Sequence, residues 1–433
     1  MLYYIYTPPR KAKRPSADTA ASKQKNGGMR YMQRNDRINN SHRLKENNRF
    51  AILDLLRKNG AMSRKDIASH VLLTQASVTI LTSELIDEGI LEETGIVRTA
   101  GAGRNKILLN IHYHRAYVVG VILDTVGIEL AIARLQGEIL HTEKLPHSGP
   151  TGTTEVLDTV ADAVNAFIAQ HDVDRSEIGC VGVGIIGLVD ADAGISLDSY
   201  GVLPPNTEIT AKLSEALRLP VALDNIVRGI AMAELDFRRE PAQISGLFVK
   251  YGPGVGSAVI VENDIYYGVS NRSGEIGHCI VEPTRERCIC GKRGCLERLI
   301  GLDSLKAQAG EVFDETATPH LFALCDGQKS NITIEHIVEA ADRGDAALGV
   351  ILEKALFYLS MMIVNTIEVV DGNQVVLFGY LFHKDWACRR LSAIIGELSG
   401  HRMPIEVIKS IHIGDSPCIG SVAIAIRNYF YSV

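Results

Sequence analysis

The chain reads Gly274-Glu-Ile-Gly-His278 and, ten residues after that histidine, Cys288-Ile-Cys-Gly-Lys-Arg-Gly-Cys-Leu-Glu297. Three of its eight cysteines fall within eight residues, a spacing more typical of metal binding than of disulfides when no export signal is present. The four candidate ligands form a Cys3His set, a common structural zinc shell with no position left for a reactive water: His278, Cys288, Cys290 and Cys295. The spacing predicts a structural Zn2+ in the loop 278–297. The alternative is a loop of ordinary thiols.

Around this motif, strand-like apolar runs alternate with helix-like runs. The strand-like runs lie at residues 117–123, 127–134, 178–186, 221–223, 247–251, 257–261 and 375–378. Helix-like runs include residues 156–170 and a long run that starts near Asp345. This alternation predicts α/β layers with ligand crevices at strand ends, over a body of residues 113–433.

The segment 252–278, GPGVGSAVIVENDIYYGVSNRSGEIGH, together with the cysteine motif resembles the signature of the ROK family, which comprises repressors, uncharacterised frames and sugar kinases. The resemblance covers the chain from about residue 42 to the C-terminus. It implies an actin-like, hexokinase-like body of two α/β lobes with a sugar cleft between them.

The resemblance also implies a sugar site. Four residues match the family's contacts to sugar hydroxyls: Asn225, Glu275, His278 and Glu297. Carboxylates and amides suit neighbouring hydroxyls because they supply fixed hydrogen-bonding groups. Taken singly, Glu297 is explained as a carboxylate at a helix start and Asn225 as a turn residue. Zinc on His278 would hold the loop that carries Glu275, and so would support the cleft without taking part in catalysis.

The positions that would carry phosphate chemistry are altered. Where ROK kinases have the turn D-x-G-G-T, this chain has Ile122-Leu-Asp-Thr-Val126, and the carboxylate of Asp124 opposes the approach of a phosphate. The family's catalytic base corresponds to Ile226, which cannot accept a proton. Tyr380 replaces a glycine that the kinases usually carry beside the nucleotide. We therefore expect no catalytic residues and no sugar kinase activity.

An alternative interpretation is that the protein is an enzyme. The chain would be an ATP-dependent hexose kinase with a fused DNA-binding domain, and Asp224 would serve as the base if the register were shifted by two residues.

Residues 42–112 carry a different pattern. Ser63, followed three residues later by Asp66, is typical of the start of a short helix, and Thr74 is typical of the start of a third helix. The apolar face of this third helix comprises Val78, Leu81, Leu85 and Ile86. Its other face comprises Gln75, Ala76, Ser77, Thr79 and Thr82. A short, neutral face rich in hydrogen-bonding groups suits a recognition helix in the major groove.

The strand-like runs 90–93 and 106–111 flank a glycine-rich hairpin with basic side chains, as in a wing that touches phosphate or the minor groove. The pattern predicts a winged helix–turn–helix that binds double-stranded operator DNA. The predicted contacts are Thr74, Gln75, Ser77, Thr79, Arg98, Arg104 and Lys106. The alternative is a small helical bundle that contacts another protein.

Charge is distributed unevenly over the 433 residues. Residues 1–110 contain 19 Lys and Arg against 10 Asp and Glu, whereas the remainder contains 26 against 41. A basic front on an acidic body predicts a polyanion partner for the front alone. Residues 1–41 are predicted to be a basic, disordered tail. The apolar runs 1–6 and 355–370 are too short for a signal peptide and a membrane span, so we expect a cytoplasmic protein with no membrane partner.

A winged helix–turn–helix followed by this body resembles the layout of the ROK family's transcriptional repressors, and the resemblance implies a sugar-responsive, DNA-binding transcriptional regulator, most simply a repressor, of carbohydrate metabolism genes. Its effector would be a sugar or sugar phosphate, and a homodimer or homotetramer would match a palindromic operator. A regulator recruited by another protein, without a small-molecule ligand, is a third possibility, which the retained Glu275, His278 and Glu297 disfavour.

Overall fold

The computed structural model describes residues 40–97, 106–146, 153–238, 243–283, 287–400 and 404–431. Almost all of the predicted tail lies outside the described residues, as do Arg98 and Arg104 of the predicted wing. Residues 47–433 form one compact unit, and of the unit Met1–Glu46 only the start of one helix is described. The domain boundaries proposed after residues 41 and 112 stay predictions.

The front of the chain folds as a winged helix. Its elements are α1 (Asn40–Asn59), β1 (Met62–Ser63), α2 (Arg64–Val71), α3 (Gln75–Asp87), β2 (Leu91–Val97) and β3 (Lys106–Ile111). The strands pair antiparallel in the order β1-β3-β2. The two predicted caps are confirmed, because the hydroxyl of Ser63 accepts a hydrogen bond from the Asp66 amide and that of Thr74 accepts one from the Ser77 amide.

The inner face of α3 matches the prediction except at one position. Val78, Leu81 and Leu85 are buried in the core of the winged helix, as expected. The prediction for Thr82 was wrong, because this residue is fully buried. Its hydroxyl donates to the Val78 carbonyl at 2.8 Å and accepts from Arg64 Nε at 3.1 Å. A threonine can satisfy its hydroxyl on the preceding turn of its own helix, so its polarity did not require an exposed position.

The first lobe of the body contains a five-stranded sheet. Its strands are β4 (Tyr117–Leu123), β5 (Gly127–Arg134), β6 (Ile139–Pro146), β7 (Ile178–Ile185) and β11 (Val221–Asn225). They pair in the order β11-β7-β4-β5-β6, in which β4, β5 and β6 are antiparallel and β7 and β11 run parallel to β4. A small sheet follows β7 and consists of β8 (Leu188–Asp190), β9 (Ile195–Asp198) and β10 (Thr207–Glu208).

Two helices pack against each face of the five-stranded sheet. One pair is α4 (Glu155–Gln170) and α5 (Ile209–Leu217), and the other pair is α6 (Ile226–Asp236) and α13 (Cys418–Tyr431). The apolar core of the winged helix is continuous with the cluster around α6 and α13.

The second lobe repeats the topology of the first. Its strands are β12 (Gly246–Tyr251), β13 (Val255–Val261), β14 (Asp264–Tyr266), β15 (Gln374–Phe378) and β16 (Glu406–Lys409). They pair in the order β14-β13-β12-β15-β16, with three antiparallel strands and two parallel ones. Its helices are α7 (Leu296–Ile300), α8 (Leu302–Glu311), α9 (Pro319–Leu324), α10 (Ile334–Asp342), α11 (Ala346–Val370) and α12 (Asp385–Ser399). The repeated topology confirms the predicted two-lobed α/β body.

Within the described part of the chain, one helix, α11, is long and apolar enough by length and composition to cross a membrane. Its side chains Leu352, Leu359 and Ile363 are buried in the core of the second lobe. The helix is thus longer than the apolar run 355–370 on which the sequence argument rested, and its packing is that of a core helix.

Candidate functional site

The four predicted metal ligands come together in the second lobe. The ligand atoms of His278, Cys288, Cys290 and Cys295 all lie within 4.8 Å of one another. Cys288 Sγ is 3.5 Å from His278 Nδ1, and the Sγ atoms of Cys290 and Cys295 are 3.6 Å apart. Tetrahedral zinc with bonds of about 2.3 Å to sulfur and about 2.0–2.1 Å to nitrogen requires separations of about 3.8 Å and about 3.6 Å. The donor types, and the two separations of 3.5 and 3.6 Å, therefore fit a site for one tetrahedral metal ion.

A glycine allows the loop to return to the histidine within so few residues. Gly294 has φ of +82°, and a Cβ there would lie 2.0 Å from the carbonyl oxygen of Glu282. This close approach precedes Cys295, whose Sγ lies 3.7 Å from the His278 carbonyl oxygen. Any side chain at position 294 would push the two strands of the loop apart.

His278 connects the metal cluster to a second polar group. Its Nδ1 faces Cys288, whereas its Nε2 lies 3.9 Å from Oε2 of Glu275. Tyr200 of the first lobe packs edge-on against His278, with ring centroids 5.2 Å apart, and its hydroxyl donates to Glu275 at 3.5 Å. Burial raises the pKa of Glu275 above its ordinary value, and the attraction of Arg228 opposes that rise. The two lobes therefore meet at Glu275.

Glu297 already has a partner in the chain. It lies in the first turn of α7, and its Oε2 accepts a hydrogen bond from the Val255 amide at 2.9 Å. A Cβ at Gly254 would lie 2.3 Å from the same oxygen, so a side chain at position 254 would displace the carboxylate from this position. Contact of Glu297 with a sugar stays a prediction.

Asn225 is the N-cap of α6. Its Oδ1 accepts hydrogen bonds from the amides of Val227 (2.7 Å) and Arg228 (3.3 Å), and its Nδ2 donates to the Gly187 carbonyl at 2.8 Å. The side chain thus ties the start of α6 to the turn after β7. Its contact with a sugar also stays a prediction.

Asp224, the alternative base, is fully engaged by its neighbours. Its Oδ1 accepts from Arg228 Nε and from the Asn225 amide, both at 2.6 Å, and its Oδ2 accepts from the Tyr267 hydroxyl at 2.8 Å. The Arg228 guanidinium also lies 4.9 Å from the centroid of the Tyr267 ring. Both oxygens of the Asp224 carboxylate therefore already accept hydrogen bonds from the protein. Arg228 and Tyr267 were not predicted, although the spacing of four residues between Asp224 and Arg228 was a usable signal.

The turn that would hold phosphates is filled by a side chain. The Oδ1 of Asp124 accepts hydrogen bonds from the amides of Val126 at 2.8 Å and Gly127 at 3.1 Å. A phosphate loop must offer such amides to its anion, and here the carboxylate accepts them. Lys250 at the end of β12 donates to a neighbouring carbonyl, and burial lowers its pKa to about 8 against the attraction of Asp124 and Glu297.

The predicted base position is apolar and enclosed. Ile226 is buried in the same hydrophobic cluster as Ile122, the residue that replaces the leading Asp of the kinase turn. A Cβ on Gly184 would lie 3.3 Å from Ile122 and 3.4 Å from Ile226, so both isoleucines border the same glycine. The two positions that the resemblance matches to kinase carboxylates are therefore part of the apolar core.

On the winged helix, the N-terminal turns of α3 are open to solvent. Thr74, Gln75 and Thr79 are exposed and Ser77 is half-buried. Ile80 is 61% exposed on the same face and was not predicted, although an apolar side chain there suits a thymine methyl group. Lys106 forms an ion pair of 3.2 Å with Asp66 of α2, which anchors it at the base of the wing.

The fold and the site define a winged-helix protein whose body is built like a sugar kinase. The chain belongs to the ROK family, since the model of that family matches residues 118–428. A second model, for the winged helix-turn-helix DNA-binding domain, matches residues 45–92.

Similar proteins include both regulators and enzymes. The chain is 27% identical over 354 residues to the DNA-binding transcriptional dual regulator NagC of Escherichia coli (strain K12), covering 80% of this chain and 84% of that one. It is 27% identical over 264 residues to a glucokinase of Halalkalibacterium halodurans, covering 61% and 80%. The crystal structure of a ROK family transcriptional regulator, a homolog of the E. coli MLC protein, matches with a TM-score of 0.75 at 22% identity, covering 90% and 97%. At that identity the likeness shows the fold alone.

Proposed function

We propose that this protein is a sugar-responsive transcriptional regulator that represses carbohydrate metabolism genes. The winged helix binds double-stranded operator DNA, and the body binds a sugar or sugar phosphate without transferring phosphate to it. The observation that carries the proposal is the solvent-exposed start of α3, with Gln75 and Thr79, in a chain whose body has lost the kinase carboxylates. The similarity to NagC supports the same class of protein.

The loss of phosphotransfer rests on three contacts. Asp124 occupies the amides of the phosphate turn, Ile226 replaces the base within an apolar cluster, and Asp224 is held by Arg228 and Tyr267. The alternative, an ATP-dependent hexose kinase with a fused DNA-binding domain, retains the support of a glucokinase relative. Incubation with ATP, magnesium and a sugar panel separates the two, and turnover above the background without protein would favour the kinase.

We assign the metal as Zn2+ held by His278, Cys288, Cys290 and Cys295, because three thiolates and an imidazole at these separations suit tetrahedral zinc. When bound, the ion would supply only structural cross-linking, since the four protein ligands complete its shell. Its effect on the cleft would pass through His278, whose second nitrogen faces Glu275.

The effector would lie beside Glu275, where the lobes meet. Glu275 and His278 offer adjacent polar atoms for neighbouring hydroxyls, and Glu297 and Asn225 would complete the site. Tyr200 joins this set because its hydroxyl reaches Glu275 from the first lobe. A sugar that bridges the lobes at this point would change their relative position.

The DNA contacts would come from Thr74, Gln75, Ser77, Thr79 and Lys106, together with Arg98 and Arg104 outside the described residues. We expect a homodimer or homotetramer in the cytoplasm, bound to a palindromic operator. Exposed apolar side chains on α11, Val350, Phe357 and Val369, are consistent with self-association, which sedimentation analysis tests.

Binding to genomic DNA fragments, measured with and without a panel of sugars and sugar phosphates, tests the proposal as a whole. We expect salt-sensitive binding that one class of sugar alters. The full-length double variant Gln75→Ala/Thr79→Ala should lose binding to the same fragments. Undiminished binding by that variant would remove the winged helix as the DNA-binding element.

A further inference from the structure

Helix α6 links the cleft to the winged helix. Its 11 residues span about 16 Å, with Asn225 capping the end at the cleft and Asp236 closing the other end. The Asp236 side chain is 1% exposed and is shared by two arginines. Arg427 of α13 donates to it at 2.6 and 2.9 Å, and Arg57 of α1 forms an ion pair with it at 2.5 Å. One carboxylate therefore joins α6, the C-terminal helix and the winged helix.

The charge state of Asp236 favours this link. Burial alone would raise the pKa of Asp236, but attraction to Arg427 and then to Arg57 outweighs burial and leaves the pKa below its ordinary value. The carboxylate is thus ionised near neutral pH. Removal of either arginine would leave part of a buried charge uncompensated, so each substitution would destabilise the packing of its helix against α6.

The start of α6 is bonded to the loop that carries Glu275. Arg228, one turn into the helix and 3% exposed, donates to the carbonyls of Val189 at 3.1 Å and Asn271 at 3.2 Å. Asn271 lies three residues before the Gly-Glu-Ile-Gly-His motif. A shift of the loop that carries Glu275 would therefore act on the first turn of α6.

The middle of α6 cannot easily absorb such a shift. α6 crosses α13 at two glycines, where a Cβ on Gly229 would lie 2.9 Å from the Gly420 carbonyl oxygen and one on Gly420 would lie 2.6 Å from the Ile230 amide nitrogen. Further along, the buried Glu234 accepts from the Ser410 hydroxyl at 2.6 Å. Close-packed helices move as units rather than deforming continuously.

The winged helix and the body share an apolar core, but the packing between them is incomplete at one place. A cavity of about 180 Å³ lies between α1 and the body, lined by Leu53, Lys58, Glu262 and Phe430 among others, with Arg57 at its edge. Polar contacts between the winged helix and the body include the Arg57–Asp236 ion pair and a hydrogen bond of 2.8 Å from Arg115 Nη1 to the Glu88 carbonyl. Of these two contacts, the ion pair is the one that ends on α6.

We propose that α6 transmits effector binding from the cleft to the DNA-binding domain, and that the Arg57–Asp236 ion pair is the coupling contact. The proposal rests on the proposed function and specifies how the site is regulated. It assigns Arg57 as a positioning residue, which acts on α1 and touches neither sugar nor DNA. Effector binding at Glu275 would move the start of α6, and Asp236 would move Arg57 and the recognition helix with it.

A double-mutant cycle on the full-length protein tests the link without knowledge of the effector. Asn225→Ala perturbs the cleft end and Arg57→Gln removes the coupling contact while the Asp236–Arg427 pair remains. Two quantities are measured for each protein: affinity for genomic DNA fragments, and amide hydrogen exchange of residues 47–59. We expect Asn225→Ala alone to change both the DNA affinity and the hydrogen exchange of α1. When Arg57→Gln is already present, the same substitution should change them much less. The effect of Asn225→Ala on affinity should differ between the two backgrounds by about 2- to 30-fold.

Asp54→Asn is the control for a change of charge next to Arg57, because Asp54 pairs with Arg57 at 2.7 Å and with Lys58 at 2.8 Å, both on α1, and the variant keeps the Arg57–Asp236 pair. This variant should leave the coupling intact. Arg57→Lys keeps a charge and should keep part of the coupling, which covers the case in which Arg57→Gln misfolds.

The outcomes separate the two proposals. Additive effects of Asn225→Ala and Arg57→Gln on both quantities would overturn the α6 link even if DNA binding is normal. Absence of DNA binding by wild type would overturn the proposed function, and hydrogen exchange in α1 would still decide whether the two ends of α6 are coupled.

Discussion

His278 presents one ring nitrogen to the cysteine cluster and the other to Glu275, whose Oε2 lies 3.9 Å from Nε2. A metal ion on Nδ1 would fix the tautomer and the plane of the ring, so the group that faces Glu275 would be set by the metal. The cysteine cluster and the polar group around Glu275 are therefore joined through a single imidazole.

Cys290→Ser should abolish metal binding and destabilise the second lobe. Loss of one ligand from a tetrahedral shell weakens the site greatly, and a metal present at a hundredfold excess over its Kd contributes about 2.7 kcal/mol to the free energy of unfolding. Metal analysis and urea unfolding measure both effects. Cys279→Ser is the control, because Cys279 adjoins the cluster but is not one of its four residues. Equal zinc content in the two variants would contradict the assignment.

Glu275→Gln should weaken sugar binding and leave DNA affinity without sugar unchanged. A hydrogen bond to a charged group contributes roughly 1.5–3 kcal/mol, which corresponds to a loss of about 10- to 150-fold in affinity. Calorimetry measures this loss of affinity, with the sugar of the panel that raises the melting temperature of the wild-type protein. Glu311→Gln, at an exposed position on α8, should bind like wild type. Full sugar affinity in the Glu275 variant would move the effector site elsewhere.

Gln75→Ala should reduce affinity for the preferred DNA fragment by about 1–3 kcal/mol, the usual cost of losing one base contact. Because Gln75 is neutral, the slope of log affinity against log salt should not change. Ser83→Ala is the control, since Ser83 is exposed on α3 but lies about two turns further from its N-terminus. Fluorescence anisotropy over a salt series distinguishes loss of a base contact from loss of a phosphate contact.

Lys250 should make stability depend on pH in the alkaline range. Its pKa is about 8 in the folded protein, against 10.5 as the ordinary value, so the unfolded chain binds more protons between these limits and the folded state gains stability as pH rises. The gain is at most about 3 kcal/mol, at about 1.4 kcal/mol per pH unit. Urea unfolding at pH about 7 and about 9.5 should show this rise in wild type relative to Lys250→Met. Lys250→Arg should also lack this rise in stability, because a guanidinium stays charged over this range. An identical rise in the wild-type protein and in both variants would exclude Lys250 as its source.

Ile226→Asp should destabilise the protein without creating a kinase. The new carboxylate would be buried in an apolar cluster without a partner, at a cost of several kcal/mol, whereas Ile226→Val should cost about 0.5–1.5 kcal/mol. Phosphate transfer should stay at background because Asp124 still occupies its turn. Turnover of ATP by Ile226→Asp would show that the isoleucine at position 226 is by itself responsible for the absence of phosphate transfer.

Local patterns were sufficient for the elements and for the metal cluster. Ser63 and Thr74 start their helices as expected, because a capping side chain acts on amides two or three residues away. The Cys3His set was recognisable for the same reason, since three of its members share one short loop and a glycine at 294 closes it. Local pattern was not sufficient for Thr82, which was predicted to be exposed because it is polar. Its hydroxyl donates to a carbonyl of its own helix, so the residue can be buried.

The linear order of residues thus established the winged helix, the repeated α/β body and the metal loop, all of which depend on neighbours within a few turns or one recurring motif. Only the folded chain decided that Tyr200 reaches Glu275, that Lys250 lies near Asp124, and that Arg57 meets Asp236. Each of these contacts joins segments far apart in sequence, and no local spacing encodes it. These contacts exist because the sheets and α6 bring distant loops and helices together. The proposed cleft and the proposed link to DNA depend on them.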